Sequence, residues 1–597
     1  MRLIGSIIAL AGLCLVFWTG LKTGAAERSV GDSRFPVSPS ARFAAPSGVG
    51  YASADDIESL LASWAAADPD RLRLVPVAEV SGRAPVWAIE FASRPLYSGT
   101  GFPLTVLLMG GADGVSLVGG EAVVQSTYTL LQHLDELRSD VRVIAIPQVA
   151  PGALMQVPGQ SNGAALPSWS LDEDQDGEEG EDPPDDLDGD GFTLDMLIEA
   201  PEGEWCLASD RRVLIPAGPH DAPRYLLTKE GRDDDLDGLH NEDGPSGLDW
   251  GRSFPVGWPG PLPDGSCGTR PMEDPLSRAI ADYVLDLDPT LTLVFAGNHG
   301  GLRFFGGSAD GDASERVVDM RARLTAGFSR ATGRRMGSAA AGRSLVPTAK
   351  VAAPTGSFGD WLQTVTRGTV VEVSPWGPTA VWIDGRPLAD AAEDGMSLPR
   401  PLDQSGDLLE MGREPDPVSA LWMRWLDEVR GGAGFVDWHP VDLGGGVTGL
   451  VGGWEPMTRN NPPAELLPLA LEGISPFVSG VIAGLPRYEI EVLEATRDGS
   501  LVRIRARVAN RSALDPVAPG PDASGEGVSG RDGVELHLES TCDAAIMVGG
   551  ASVHLGELRP GAVSAPVTWV LEAPAGGVIA LRASGPSGHG VEREVRP

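Results

Sequence analysis

Three short runs of alternating acids have the residue types and spacing for metal chemistry. They are Asp172-Glu173-Asp174-Gln175-Asp176-Gly177, Asp186-Leu187-Asp188-Gly189-Asp190-Gly191 and Asp233-Asp234-Asp235-Leu236-Asp237-Gly238. Alternate carboxylates on a tight turn, with glycine supplying the bend, suit a hard cation such as calcium. An EF-hand needs Glu at its twelfth position, and those positions are Pro183, Leu197 and Gly244, so EF-hands are excluded. Two readings stay open: a calcium loop without flanking helices, and a solvated acidic loop. The better ligand candidates are Asp186, Asp188 and Asp190, and Asp233, Asp235 and Asp237.

The elements that must position any chemistry follow from hydrophobic periodicity. Ser53 to Asp56 offers a helix N-cap with acids in the first turn, and Leu60, Leu61 and Trp64 share one face. Val75–Val80 and Val86–Phe91 read as strands. Leu104–Met109, Val141–Val149, Leu291–Ala296 and Thr369–Val373 read as buried strands. Helical stretches at 119–137, 274–286, 314–332 and 356–366 lie among them. The alternation predicts an α/β fold, a mixed and mostly parallel sheet with helices on both faces. Ligands of such sheets collect at the carboxyl ends of the strands. Those ends carry Gly110-Gly111-Ala112-Asp113, Gly297-Asn298-His299-Gly300 and Glu372-Val373-Ser374-Pro375.

The rest of the chain sorts by texture. Met1-Arg2 and the apolar run to Gly20 read as an export signal, with small residues at Gly24-Ala25-Ala26. An uncleaved membrane anchor is the competing reading. This gives a signal peptide at 1–26, a linker at 27–49, an α/β domain at 50–485 with an acidic insertion at 150–247, and a β-sandwich at 486–597. Residues 409–484 read as helical. Beyond Tyr488, six alternating strands separated by Gly, Pro and Asp turns predict an immunoglobulin-like sandwich. A net charge of −37 argues against nucleic-acid and anionic-membrane partners. Cys206 and Cys267 form a bridge across the insertion or, with Cys542, remain thiols. His133 reads as a packing residue and His439 as a loop residue.

Leu248-Asp249-Trp250-Gly251-Arg252-Ser253-Phe254-Pro255, followed by Gly257-Trp258, resembles the substrate-anchoring segment of zinc carboxypeptidases. Gly82 to Ala88, Leu107 to Gly111, Glu273-Asp274-Pro275 and Gly356-Ser357-Phe358-Gly359-Asp360-Trp361 resemble further motifs of that family, in the same order. The resemblance covers about 50 to 485. It implies one zinc held by three ligands, with water at the open position. The ligand positions map to Asp113, Ser116 and His299, of which only His299 is the family's residue type. Glu121 is an alternative ligand, weighed against an acid that simply meets a helix N-terminus. The resemblance makes Glu372 the general base and Arg252 the clamp for a peptide's terminal carboxylate, with Gly251 where the family has Asn.

Three functions follow. One is an exported hydrolase that cleaves peptides by metal-activated water. The second is a catalytically silent relative that binds peptide or cell-wall ligands in the same cleft. The third is a calcium-stabilised surface protein.

Overall fold

The computed structural model describes residues 43–46, 50–79, 85–96, 104–111, 116–149, 185–218, 220–233, 251, 253–260, 267–297, 299–305, 315–334, 356–366, 368–383, 386–387, 417–444, 446–455, 458–514, 533–540, 544–585 and 590–596. Helix α1 (Ala54–Ala67) starts at a capping box. Ser53 Oγ accepts from Asp56 N at 3.1 Å, and Asp56 Oδ2 accepts from Ser53 N at 3.2 Å. Ile57, Leu61 and Trp64 follow at helical spacing and are buried. Trp64 also donates its indole N–H to Ala44 O at 2.8 Å.

Strands β1 (Leu72–Ala78), β2 (Val86–Phe91) and β3 (Leu104–Gly110) come next, then α2 (Leu117–Gln132) and β4 (Val141–Ile146). The insertion supplies β5 (Asp195–Glu199), β6 (Trp205–Leu207), β7 (Leu214–Pro216) and β8 (Tyr225–Lys229). The α/β pattern resumes with α3 (Pro275–Leu287), β9 (Leu291–Phe295), β10 (Leu302–Phe304), α4 (Glu315–Thr332), α5 (Phe358–Val365) and β11 (Thr369–Val373). The short strands β12 (Trp382–Ile383) and β13 (Arg386–Pro387) precede α6 (Pro417–Trp425). Then come β14 (Phe435–Gly444), β15 (Val447–Trp454), α7 (Leu467–Leu471) and α8 (Ile474–Gly484).

The central sheet has the order β1-β2-β4-β3-β9-β11-β10. Its middle, β4-β3-β9-β11, is parallel, and β1, β2 and β10 pair antiparallel at the edges. All residues of β3 and β9 are buried, as continuous apolar runs require when both faces are covered. One face packs Leu104, Val106 and Leu293 against α1, α2, α4 and α8. The other packs Leu107, Ile144 and Val370 against α3 and α5. The mixed sheet with helices on both faces, expected from periodicity, is therefore present. Residues Ala464–Gly484 are apolar and long enough to cross a membrane, but Phe477, Val478, Val481 and Ile482 are buried in this core.

The helical expectation for 409–484 fails in its middle. β14 and β15 form a hairpin that joins the insertion strands in a six-stranded sheet, β14-β15-β5-β8-β6-β7. Trp422, Trp425, Phe435 and Trp376 pack together on α6, the hairpin and the exit of β11. The π turn Leu426–Arg430 ends at Gly431, whose φ of 64° suits glycine.

Beyond α8, two four-stranded antiparallel sheets share one core. One has the order β16 (Tyr488–Asp498), β17 (Leu501–Asn510), β21 (Val567–Glu572), β19 (Ala545–Val548). The other has the order β20 (Ser552–His554), β18 (Glu535–Ser540), β22 (Ile579–Ser584), β23 (Gly590–Val595). On β17, Val502, Ile504 and Ala506 are buried while Leu501, Arg503 and Arg505 face solvent, the period of two for a half-buried strand. β20 and β23 were not expected from the sequence. Cys206 and Cys267 are buried and are not bridged to each other, and Cys542 lies outside the described residues.

Candidate functional site

The parallel strands bring three loops to one edge of the sheet. Glycine makes the approach close enough. A Cβ on Gly119 of α2 would strike Phe295 O at the end of β9, and one on Gly110 would strike Pro147 O beyond β4. The N-terminus of α2 is thereby driven against the ends of β3, β4 and β9. Asn461, far along the chain, caps it by accepting from Val118 N at 3.0 Å.

His299 follows β9 between Gly297 (φ 76°) and Gly300 (φ 72°), a backbone region that disfavours side chains. Glu372 lies on β11, in register with Val294 of β9 and opposite Arg303 of β10. This pairing brings His299 Nδ1 to 3.5 Å from Glu372 Oε1. A Cβ on Gly297 would sit 2.8 Å from Glu372 Oε1 and 3.2 Å from His299 Nδ1, so glycine is needed where the pair meets.

Ser374 secures the histidine loop. Its buried hydroxyl accepts from Gly300 N at 3.0 Å and directs its proton to Gly297 O (2.9 Å) or Trp376 O (2.8 Å). Ser374 N donates to Gly301 O at 2.8 Å, and Thr379 Oγ1 donates to Gly300 O. Trp376 is buried and donates to Thr458 O at 2.8 Å. The buried guanidinium of Arg334 donates to Pro375 O and Ala470 O, each at 2.7 Å. The exit of β11 is thus fastened to three other segments.

Burial pushes the His299 imidazolium down to about 4, the charge of Arg303 adds to this, and a backbone contact with Gly301 opposes it. Burial thus favours the neutral imidazole. Its Nε2 is buried without a hydrogen-bond partner among the described residues, although 23 % of the side chain stays exposed. A neutral imidazole touching a carboxylate can orient and exchange a proton. At 3.5 Å the two groups are within ion-pair range, longer than an ordinary hydrogen bond.

Of the other expected zinc positions, only Ser116 is among the described residues. Ser116 is the buried N-cap of α2, a hydroxyl and hence a weak metal ligand. Asp113 and Arg252 lie outside the described residues. Glu121 is the fifth residue of α2, buried, and accepts from Ala52 N at 2.7 Å. Burial raises its carboxyl against the opposing Ala52 bond. Among the described residues no third acidic, cysteine or histidine ligand clusters with His299 and Glu372. The described donors alone do not make a three-ligand zinc site.

The acidic loop does assemble. Ligand oxygens of Asp186, Asp188 and Asp190 lie within 4.8 Å of one another on an exposed turn, a group that could hold a metal ion. The loop's own amides hold it: Asp186 Oδ1 accepts from Gly189 N at 2.7 Å, and Asp190 Oδ1 from Phe192 N at 2.8 Å. Beneath it, the fully buried Glu230 accepts from Leu187 N (2.7 Å) and Leu194 N (3.1 Å). Of the second acidic group, Asp233 is described while Asp235 and Asp237 lie outside the described residues. His439 stands on β14, not in a loop, with Nε2 2.8 Å from Asp188 Oδ2. His133 is not a packing residue either, since its ring is 43 % exposed, 3.4 Å from Glu136.

Ser374, Thr379, Trp376, Arg334 and Arg303 had no role in the sequence reading. Only the Ser-Pro at a strand end hinted at the first.

No protein-family model matches the sequence, and no curated protein matches it. Among solved structures the chain is similar to carboxypeptidase A from Helicoverpa armigera, at 13% identity and a TM-score of 0.36, over 58% of this chain and 70% of that one. It is also similar to bovine thrombin-activatable fibrinolysis inhibitor in complex with tick carboxypeptidase inhibitor, at 11% identity and a TM-score of 0.31, over 54% of this chain and 86% of that one. A third is the murein-tripeptide amidase from Escherichia coli O157, at 10% identity and a TM-score of 0.21, over 51% of this chain and 83% of that one. Likenesses this slight leave the function to be argued from the residues.

Proposed function

We propose that this chain is an exported, carboxypeptidase-like protein whose strand-end cleft binds peptide-like ligands while its zinc reaction is lost or strongly weakened. The observation that carries this is the pair His299–Glu372, held in contact by Gly297 and Ser374 without a third metal ligand among the described residues. Glu372 keeps the position of a general base and His299 that of a neutral partner. Arg252 takes the ligand's terminal carboxylate. The C-terminal sheets serve as an immunoglobulin-like adhesion or stabilising module. Calcium fits the Asp186–Asp190 loop, where it would draw on three carboxylates and cross-link the turn.

The test is zinc content measured beside peptide binding and hydrolysis. The expected result is binding of a peptide with a free C-terminal carboxylate, zinc well below one per chain, and no hydrolysis. Stoichiometric zinc with hydrolysis abolished by Glu372→Gln would establish the active peptidase instead. For the loop, added calcium should raise the melting temperature, and a chelator should reverse the rise.

A further inference from the structure

Arg303 is the cation closest to the His299–Glu372 pair among the described residues, and its contacts are loose. Nη1 is 3.8 Å from Glu372 Oε2, and Nη2 is 3.8 Å from Asp360 Oδ2. It forms no closer hydrogen bond among the described residues. Both carboxylates have nearer partners. Asp360 Oδ2 accepts from Ser357 Oγ at 2.6 Å, and Glu372 Oε1 contacts His299 at 3.5 Å. The guanidinium rests over the Phe305 ring, 5.0 Å from its centroid, with 46 % of the side chain exposed. Stacking fixes the plane of the fork and leaves its donors available. Half-exposed ion pairs at this distance contribute little, whereas a bidentate guanidinium–carboxylate pair is among the stronger polar contacts.

We infer that Arg303 binds a carboxylate of the ligand, exchanging its two loose protein carboxylates for it, and so selects peptides with an acidic side chain near the C-terminus. This rests on the cleft reading above, in which Arg252 already takes the terminal carboxylate. In a chain of net charge −37, an acidic ligand needs such a local cation to approach Glu372. Release of Arg303 from Glu372 also frees that carboxylate to turn towards His299. Arg303 is thus a specificity-determining residue of the cleft.

The experiment is calorimetric binding of three acetylated tripeptides. One ends in Ala-Ala-Glu with a free carboxylate, one replaces Glu by Gln, and one carries Glu with a C-terminal amide. Wild type should prefer the Glu over the Gln peptide by about tenfold. Arg303→Gln should abolish that preference, and Arg303→Lys should keep part of it. Arg252→Gln should weaken both free-carboxylate peptides alike. Circular dichroism of each variant separates these effects from unfolding. A Glu preference that survives in Arg303→Gln, equal losses for both peptides in that variant, or a preference for the free acid over the amide that depends on Arg303 would overturn the inference. Wild type that binds without a Glu preference sinks the Arg303 role alone. Wild type that binds no peptide sinks the cleft reading with it.

Discussion

Glu372 meets His299 across two strands and a glycine-flanked loop, whereas Asp186, Asp188 and Asp190 meet within a single turn. In the cleft, each side chain is placed by distant segments: β9 and β11 in register, Asn461 on α2, Ser374 under the histidine loop. In the acidic loop, carboxylates are placed by amides a few residues away, with Glu230 and His439 as the supports from elsewhere. Damage should therefore spread differently. A lesion in the cleft's frame reaches the whole core, while a lesion in the acidic turn stays local.

The largest expected effect lies in the cleft's frame. Trp376→Ala empties a buried site beside the Trp422 and Trp425 rings and should destabilise by about 3–5 kcal/mol in urea denaturation. Gly297→Ala adds a Cβ against Glu372 and His299 at a positive φ, and should lose about 2–3 kcal/mol. Its counterpart, Gly189→Ala in the acidic turn, has a similar φ of 78° but meets no atom within 4 Å. Backbone strain alone predicts about 1 kcal/mol there. Equal losses at the two glycines would break the contrast. Ser374→Ala removes the hydroxyl serving Gly300 N and should lose about 1–3 kcal/mol, since that amide is buried.

The smallest effect is one of pH. Burial raises the folded-state carboxyl of Glu121 above its unfolded value. The group's contribution is then fully present below the unfolded pKa and is lost as pH rises through the folded one. Wild type should lose stability relative to Glu121→Gln as pH climbs from about 4 towards neutrality. A difference between the two proteins that stays flat over that range would show that Glu121 is not buried as an acid.

The same contrast explains what was legible in the sequence. Apolar runs at 104–109, 291–296 and 369–373 marked the parallel core because full burial leaves no alternation to misread. The acidic turn was legible because its chemistry is local. The hairpin β14–β15 was missed because Gly444 and its glycine neighbours, with Asp437 and Asp442, diluted the strand signal that Val436, Val441, Leu450 and Val451 carried. His299 and Glu372 were singled out through a motif, and the fold brings them within 3.5 Å of each other. Ser374, Thr379 and Arg303 were not, because an ordinary Ser, Thr or Arg acquires a role only from what the fold lays beside it.

The register of Gly449 with Ile198 has a further consequence. A strand made early in synthesis, β5, waits for β15, made some 250 residues later, before one of its edges is covered. Until then Met196 and Ile198 lie beside open backbone, and an open apolar edge invites pairing with another chain. Long-range pairings of this kind also close slowly. Order of synthesis thus becomes a hazard built into the topology, since β8, made soon after β5, pairs with its other side and covers only the opposite edge.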